Sequence, residues 1–520
     1  MHFSWTRTTE SKFGTERTKK LATTDPDEAQ LAALGYSGDF HRSMSLFANL
    51  SLGFTYLSPL VAVYSLFAFS LRLGGPPSIW WIIIAGCGQT AVALVMGEVV
   101  SQYPLAGGIY PWTRRLWGRR YAWVVSWIYL CAVIVTVTSV AEFSAGFIEP
   151  LLGIAPSALA DLVAASALLL TALAFNFAGT RMLARIAKIG LAAELIGVIA
   201  LGIFLLFFKR CQPFSVLTDS LGAGEHRPYL VAFLGAALTG LFLFYGFEAC
   251  GDVAEEVINP GRRIPQAMLL TILIGGVSAM LSYAGYVLAA PNLQDIVQGA
   301  EPNPIPAILH SALGSAGSKG FLLIAITAFI SCVLSLQAAA SRLLYSFARD
   351  RMLPGSTWLA HMSDKHKVPT HALLIACLVP IAVCVSVYVY PTALSRITAF
   401  AVLGIYLAFQ AVVLAALRQR IRGWRPGGEW TLGRWGLTVN IAALSYGIVA
   451  IVLLLVPTPD AQGFLDRWIV AISIGVVLVA GLSYLIIGRP DRHSDAYGEG
   501  DAREVADALR QRRSEHCTRV

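Results

Sequence analysis

The sequence predicts an all-α membrane protein with twelve transmembrane helices, a five-plus-five inverted repeat with two extra helices appended. Three observations predict it. Apolar residues make up 56% of the 520 positions and charged residues 13%, about half the usual soluble share. Twelve runs are long enough for the roughly 20 apolar residues a membrane-crossing helix needs. Two of those runs, the first and the sixth, are interrupted by Pro, Gly and polar residues at matching places. So little charge cannot cover a soluble surface, and it excludes disordered, coiled-coil and disulfide-scaffold classes. An outer-membrane barrel is excluded because the apolar residues come in long runs, not in alternation.

The runs fall at 46–70, 78–100, 121–147, 157–178, 186–208, 229–250, 266–290, 319–345, 370–390, 394–417, 435–456 and 467–488. The repeats are then about 46–208 and 229–417, with 435–488 appended, inside a membrane domain of 43–488. A loop at about 291–318, with Pro302, Pro304 and Pro306, has room for a short surface helix. Residues 1–42 lack a leader peptide's apolar core and cleavage site, so the first span is expected to be an uncleaved anchor. The tails, 1–42 and 489–520, are polar, and the charge-rich stretch after Arg489 is expected to be disordered.

The net charge of +8 reads as topology, not as a nucleic-acid surface. Eighteen Lys and Arg lie in loops on one side, the side that also holds both tails. Seven lie on the other: Arg72, Lys209, Arg210, Arg227, Lys319, Arg396 and Arg467. That asymmetry predicts a plasma-membrane protein with both termini cytoplasmic. Most of the eight Cys sit inside apolar runs as small hydrophobes, and Cys211 and Cys517 are isolated. No metal or cofactor is predicted.

The first span reads SLGFTYLSPLVAVYS. Pro59 removes a backbone donor and disfavours helix at Ser58. The sixth reads GLFLFYGFEACGDVAEE, with Gly246 and Gly251 flanking Glu248. Irregular backbone at membrane depth is tolerated only inside the protein or along a cavity. A broken helix there offers free N–H groups at one half-helix end and free carbonyls at the other, for anionic and cationic groups respectively. Such paired breaks point to an inverted-repeat transporter with a midplane site. The expected binding residues are Thr55, Tyr56, Ser58, Tyr245, Gly246, Phe247 and Glu248. Aromatic faces attract ammonium groups. Glu248 has two readings that stand together: contact with a substrate ammonium, or capping of the broken backbone.

PLAGGIYPW (Pro104 to Trp112), FYGFEACGDVAEEVINPGRRIPQAM (Phe244 to Met268) and SRLLYSFARDRMLP (Ser341 to Pro354) occur in this order. They resemble motifs of the amino acid–polyamine–organocation superfamily of permeases. SLGFTYLSP and the later GGP are similar to its branch of amino acid, choline and GABA permeases. The resemblance implies twelve spans, an inverted repeat and secondary active uptake of a small amine-bearing solute, with no obligate protein partner. Choline, polyamine or GABA uptake and antiport stay open beside amino acid uptake.

Some relatives place a Lys in the fifth span, where its ammonium substitutes for a sodium ion near the first and eighth spans. This chain has Glu194 in that region. Burial favours the neutral acid, so Glu194 is expected to carry a coupling proton, with sodium ligation as the alternative. Glu98 is expected in a salt bridge or gate near Arg114 and Arg115. Glu255 and Glu256 with Arg262 and Arg263 are expected to form a cytoplasmic charge cluster, with Arg342 a further partner. Glu142 is expected near solvent. A membrane enzyme has no support here: HExxH, GxSxG and clustered His or Cys are absent from the sequence.

Overall fold

The computed structural model describes residues 25–224, 228–301, 304–390, 393–456 and 463–519. Residues 1–24, Arg227 and Pro302 fall outside them, as does the Cys517 side chain. The described chain is helical, without strands. Eleven helices are long and apolar enough to cross a membrane, from Leu46–Gly74 to Arg467–Gly488. Between the fifth, Thr180–Phe208, and the next, Pro260–Ala289, lies the shorter apolar Tyr229–Leu243. It is short because the sixth span breaks at Phe244 and resumes as Ala249–Asp252.

The first span is two helices, Leu46–Leu57 and Pro59–Gly74, joined at Ser58, which takes a left-handed conformation with φ 41°. The Ser58 N–H closes the first half on the Phe54 carbonyl at 2.7 Å. Its hydroxyl accepts from the Val61 N–H at 3.3 Å and so caps the second half. The lower half packs among the fifth, seventh and eighth spans, and the upper half packs against Ala237–Leu243 of the sixth. Both halves are buried almost throughout. The last two spans sit at the periphery, and few residues of the twelfth are fully buried along its apolar window, as expected for a lipid-facing surface.

In the loop before the eighth span, Leu293–Gln298 is helical, and Gly314, with φ 71°, kinks the long helix Pro304–Arg349. The Pro304 side of that kink is the short helix the prolines predicted.

The C-terminal segment corrects one expectation. It is ordered, with a helix Ala502–Arg519 lying on the tail side of the bundle. Ala502 and Ala506 are fully buried. Asp501 pairs with buried Arg115, the Gly500 N–H donates to the Arg114 carbonyl at 3.2 Å, and Gln102 donates to the Ala502 carbonyl at 2.9 Å. Glu499 accepts from the Arg119 N–H at 3.0 Å, at the start of the third span. Asp501 and Glu499 of this tail meet partners on the bundle, which holds the segment in place, while Arg503, Glu504 and Asp507 stay exposed. Deleting residues 496–519 leaves Arg115 buried without its carboxylate. A melting point several degrees below that of the full chain is the expected result in detergent, with Asp501→Asn giving a smaller drop.

Candidate functional site

The two breaks meet. Gly246 has φ +114°, and a Cβ there would lie 2.7 Å from the Leu57 nitrogen and also strike the Tyr56 ring. The backbones of the first and sixth spans therefore touch beside Ser58, an approach that only glycine allows. Further towards the tails, four residues after Gly246, the Cys250 carbonyl accepts from the Asn49 side chain at 3.2 Å, tying the lower halves of both spans together.

Around this contact the predicted residues divide. Tyr56 and Tyr245 come together edge-to-face with ring centroids 6.5 Å apart, and both hydroxyls are buried without a partner. Glu248 accepts from the Gly246 N–H at 2.7 Å and from the Tyr129 hydroxyl of the third span at 3.1 Å, so the capping role is occupied. Ser58 sits at the break itself. Two residues point elsewhere. The Thr55 hydroxyl bonds the Ser51 carbonyl at 2.8 Å and the Ser335 hydroxyl at 2.8 Å, fastening the first span to the eighth. Phe247 packs on Phe409 of the tenth span at 5.3 Å, because the turn after Gly246 swings it away from Tyr56.

Glu194 is fully buried and faces Ser58 and the Leu60 N–H across the first break. Neither of its oxygens reaches hydrogen-bond geometry. It ends the α-helical part of the fifth span, Thr180–Glu194, and a π-helical turn follows at Leu195–Ala200. Such turns recur at functional sites. The Cys332 thiol of the eighth span lies 3.5 Å from the Tyr56 carbonyl on the same side.

On the tail side the predicted carboxylates form buried ion pairs, one with Arg342 as expected and one with a partner that was not. Glu256 pairs with Arg342 at 2.9 Å and accepts from Thr180, and Glu255 pairs with Arg349 at 3.0 Å. Arg262 and Arg263 take no part: left-handed Asn259 starts the seventh helix so that Arg262 stands exposed. Glu98 is also outside the cluster. It pairs with Arg420 of the tenth span and accepts from the Leu432 N–H, while Arg114 pairs with Asp350 at 3.2 Å. Burial alone would lower the Arg114 pKa, but Asp350 with Tyr36 and Tyr110 outweighs it and holds the pKa above the usual arginine value. Tyr36 shares this knot, its ring 4.2 Å from the Arg349 guanidinium carbon, and burial followed by Asp350 raises its own pKa. Glu142 is buried at 7% exposure and not solvated, since the third span packs against the ninth there.

Sequence reasoning missed Tyr129, Asp252 and the π-helical turn as parts of this centre. Asp252 lay in plain view four residues after Glu248, on the same face once the helix resumes. A lone Tyr in an apolar helix carries no such signal.

A family model described as "Amino acid permease" matches residues 45–479. An amino-acid permease BAT1 homolog of Oryza sativa subsp. japonica is 26% identical over 502 residues, covering 89% of this chain and 94% of the relative. Amino-acid permease BAT1 of Arabidopsis thaliana is 25% identical over 495 residues, covering 88% and 94%. An uncharacterised amino-acid permease of Schizosaccharomyces pombe is 27% identical over 462 residues, covering 83% and 82%.

Proposed function

Since the chain belongs to the amino acid permease family, an amino acid transporter of the membrane, we propose that its solute binds between the two broken helices and is taken up with a proton carried by Glu194. The contact of Gly246 with Leu57 carries this reading, because it puts both sets of free half-helix ends around one point. The substrate carboxylate meets N–H groups where the second halves begin, and the amine meets carbonyls where the first halves end. The unpartnered hydroxyls of Tyr56 and Tyr245 supply further hydrogen bonds, and their rings supply faces for an ammonium. Glu248 holds the Gly246 turn in shape while keeping its negative charge beside the amine.

Alternating access follows from rocking of one bundle against the other about this point. In the tail-closed arrangement Glu255–Arg349 and Glu256–Arg342 keep the route shut. The excess of basic residues in the loops of that side supports a plasma-membrane protein with that side, and both tails, in the cytoplasm. Glu194 suits proton coupling because its fully buried carboxyl group faces Ser58 and the Leu60 N–H across the first break, so binding a proton changes that contact.

Glu194→Gln mimics the protonated form permanently. In proteoliposomes it is expected to exchange substrate across the membrane while losing accumulation driven by an imposed pH gradient. Accumulation equal to the wild type's would reject Glu194 as the proton carrier, and a requirement for sodium in the wild type would reassign the residue to cation ligation.

A further inference from the structure

Glu248 and Asp252 are one helical turn apart on the resumed part of the sixth span, about 6 Å along its axis. Both are buried, with Asp252 1% exposed. Glu248 is satisfied by the Gly246 N–H and Tyr129, whereas neither oxygen of Asp252 has a hydrogen-bond partner. No ion pair reaches either carboxylate among the described residues. The buried guanidinium groups of the tail side are engaged by other carboxylates: Arg342 by Glu256, Arg349 by Glu255 and Arg114 by Asp350. Asp252 instead faces Tyr129, the Gly108 backbone and Trp112. A Cβ on Gly108 would come within 2.5 Å of its Oδ1, and Gly107 donates to the Asp252 carbonyl at 2.9 Å. A carboxylate held away from water with nothing to balance it is costly, and either a proton or a cationic group offsets that cost.

We propose that Asp252 is a second cation-binding station, on the tail side of Glu248, and that the preferred substrates carry two separated cationic groups, as lysine-like amino acids and short aliphatic diamines do. The inference rests on the reading of the broken helices as an amine site. A zwitterionic amino acid brings one ammonium balanced by its own carboxylate and leaves Asp252 uncompensated. A solute with a second cationic end satisfies both carboxylates at once, one turn apart. Gly107 and Gly108 must withdraw for that end to leave towards the tail side, so Asp252 also lies on the exit route.

The test is uptake of radiolabelled lysine, putrescine, leucine and GABA by the purified full chain in liposomes, for wild type, Asp252→Asn and Asp252→Glu. Lysine and putrescine are expected to be the better wild-type substrates. Asp252→Asn is expected to raise their KM about tenfold or more, with Asp252→Glu partly restoring it and neutral solutes changing less than about twofold. Neutral solutes transported in preference by the wild type would overturn the proposal, as would an equal effect of Asp252→Asn on both classes. Should Asp252→Asn fail to fold by thermal unfolding, the wild-type preference and Asp252→Glu decide. Absence of uptake for every amine, with folded protein, would instead reject the amine site itself.

Discussion

Gly246→Ala is expected to reduce uptake below about a tenth of wild type at equal surface expression. Two costs coincide at this position. A φ of +114° strains any L residue, by about 1–3 kcal/mol. The new methyl group also meets the Tyr56 ring and the Leu57 nitrogen, where the atom struck is backbone and cannot turn aside. Overpacking of this kind adds about 1–3 kcal/mol. The breaks must then separate, and the half-helix ends no longer converge on one solute. Uptake of radiolabelled amino acid and thermal unfolding in detergent measure the two effects. Full activity in Gly246→Ala would mean that the two breaks need not touch, and the site as described would fall with it.

Arg342→Ala is the second large effect. It strands Glu256, whose side chain is 1% exposed, beside Thr180 alone. Breaking one partner of a buried pair typically costs about 3–5 kcal/mol. The pair bridges the segment after the sixth span to the eighth span, so its loss weakens the tail-closed arrangement more than the fold as a whole. Cys250 lies just inside that closure, fully buried. In inside-out vesicles its labelling by an impermeant maleimide, located by mass spectrometry, is expected to accelerate at least tenfold. Replacing both partners, Arg342→Leu with Glu256→Leu, should recover much of the melting temperature without slowing the labelling. Unchanged labelling in Arg342→Ala would show that the other ion pairs close this side alone.

Much of the architecture was readable because membrane insertion imposes a single rule on long apolar runs, and Pro59 and Gly246 mark departures from it by covalent geometry. The pairing of those departures was readable from their matching places in the chain. Partners on distant spans were not. Phe247 stands between Gly246 and Glu248 in sequence but lies against Phe409, and Glu98 is sixteen residues from Arg114 yet bonds Arg420, because span order in sequence does not give neighbours in space. The π-helical turn at Leu195–Ala200 has no residue signature at all: Leu-Ile-Gly-Val-Ile-Ala is ordinary helix by composition. The C-terminal helix was hidden by its charge. The fully buried residues of its contact face are Ala502 and Ala506, four apart, with Gly427 opposite, and small residues that admit a close approach leave little hydrophobic trace.

That helix follows every described membrane-crossing segment in the chain. All of those segments are therefore made before Asp501 can reach Arg115, and until then the loop Ile109–Leu116 keeps its Arg114–Asp350 pair but lacks this second brace. A chain that stops short of Asp501 still carries every span, yet leaves one buried guanidinium of that loop without its carboxylate.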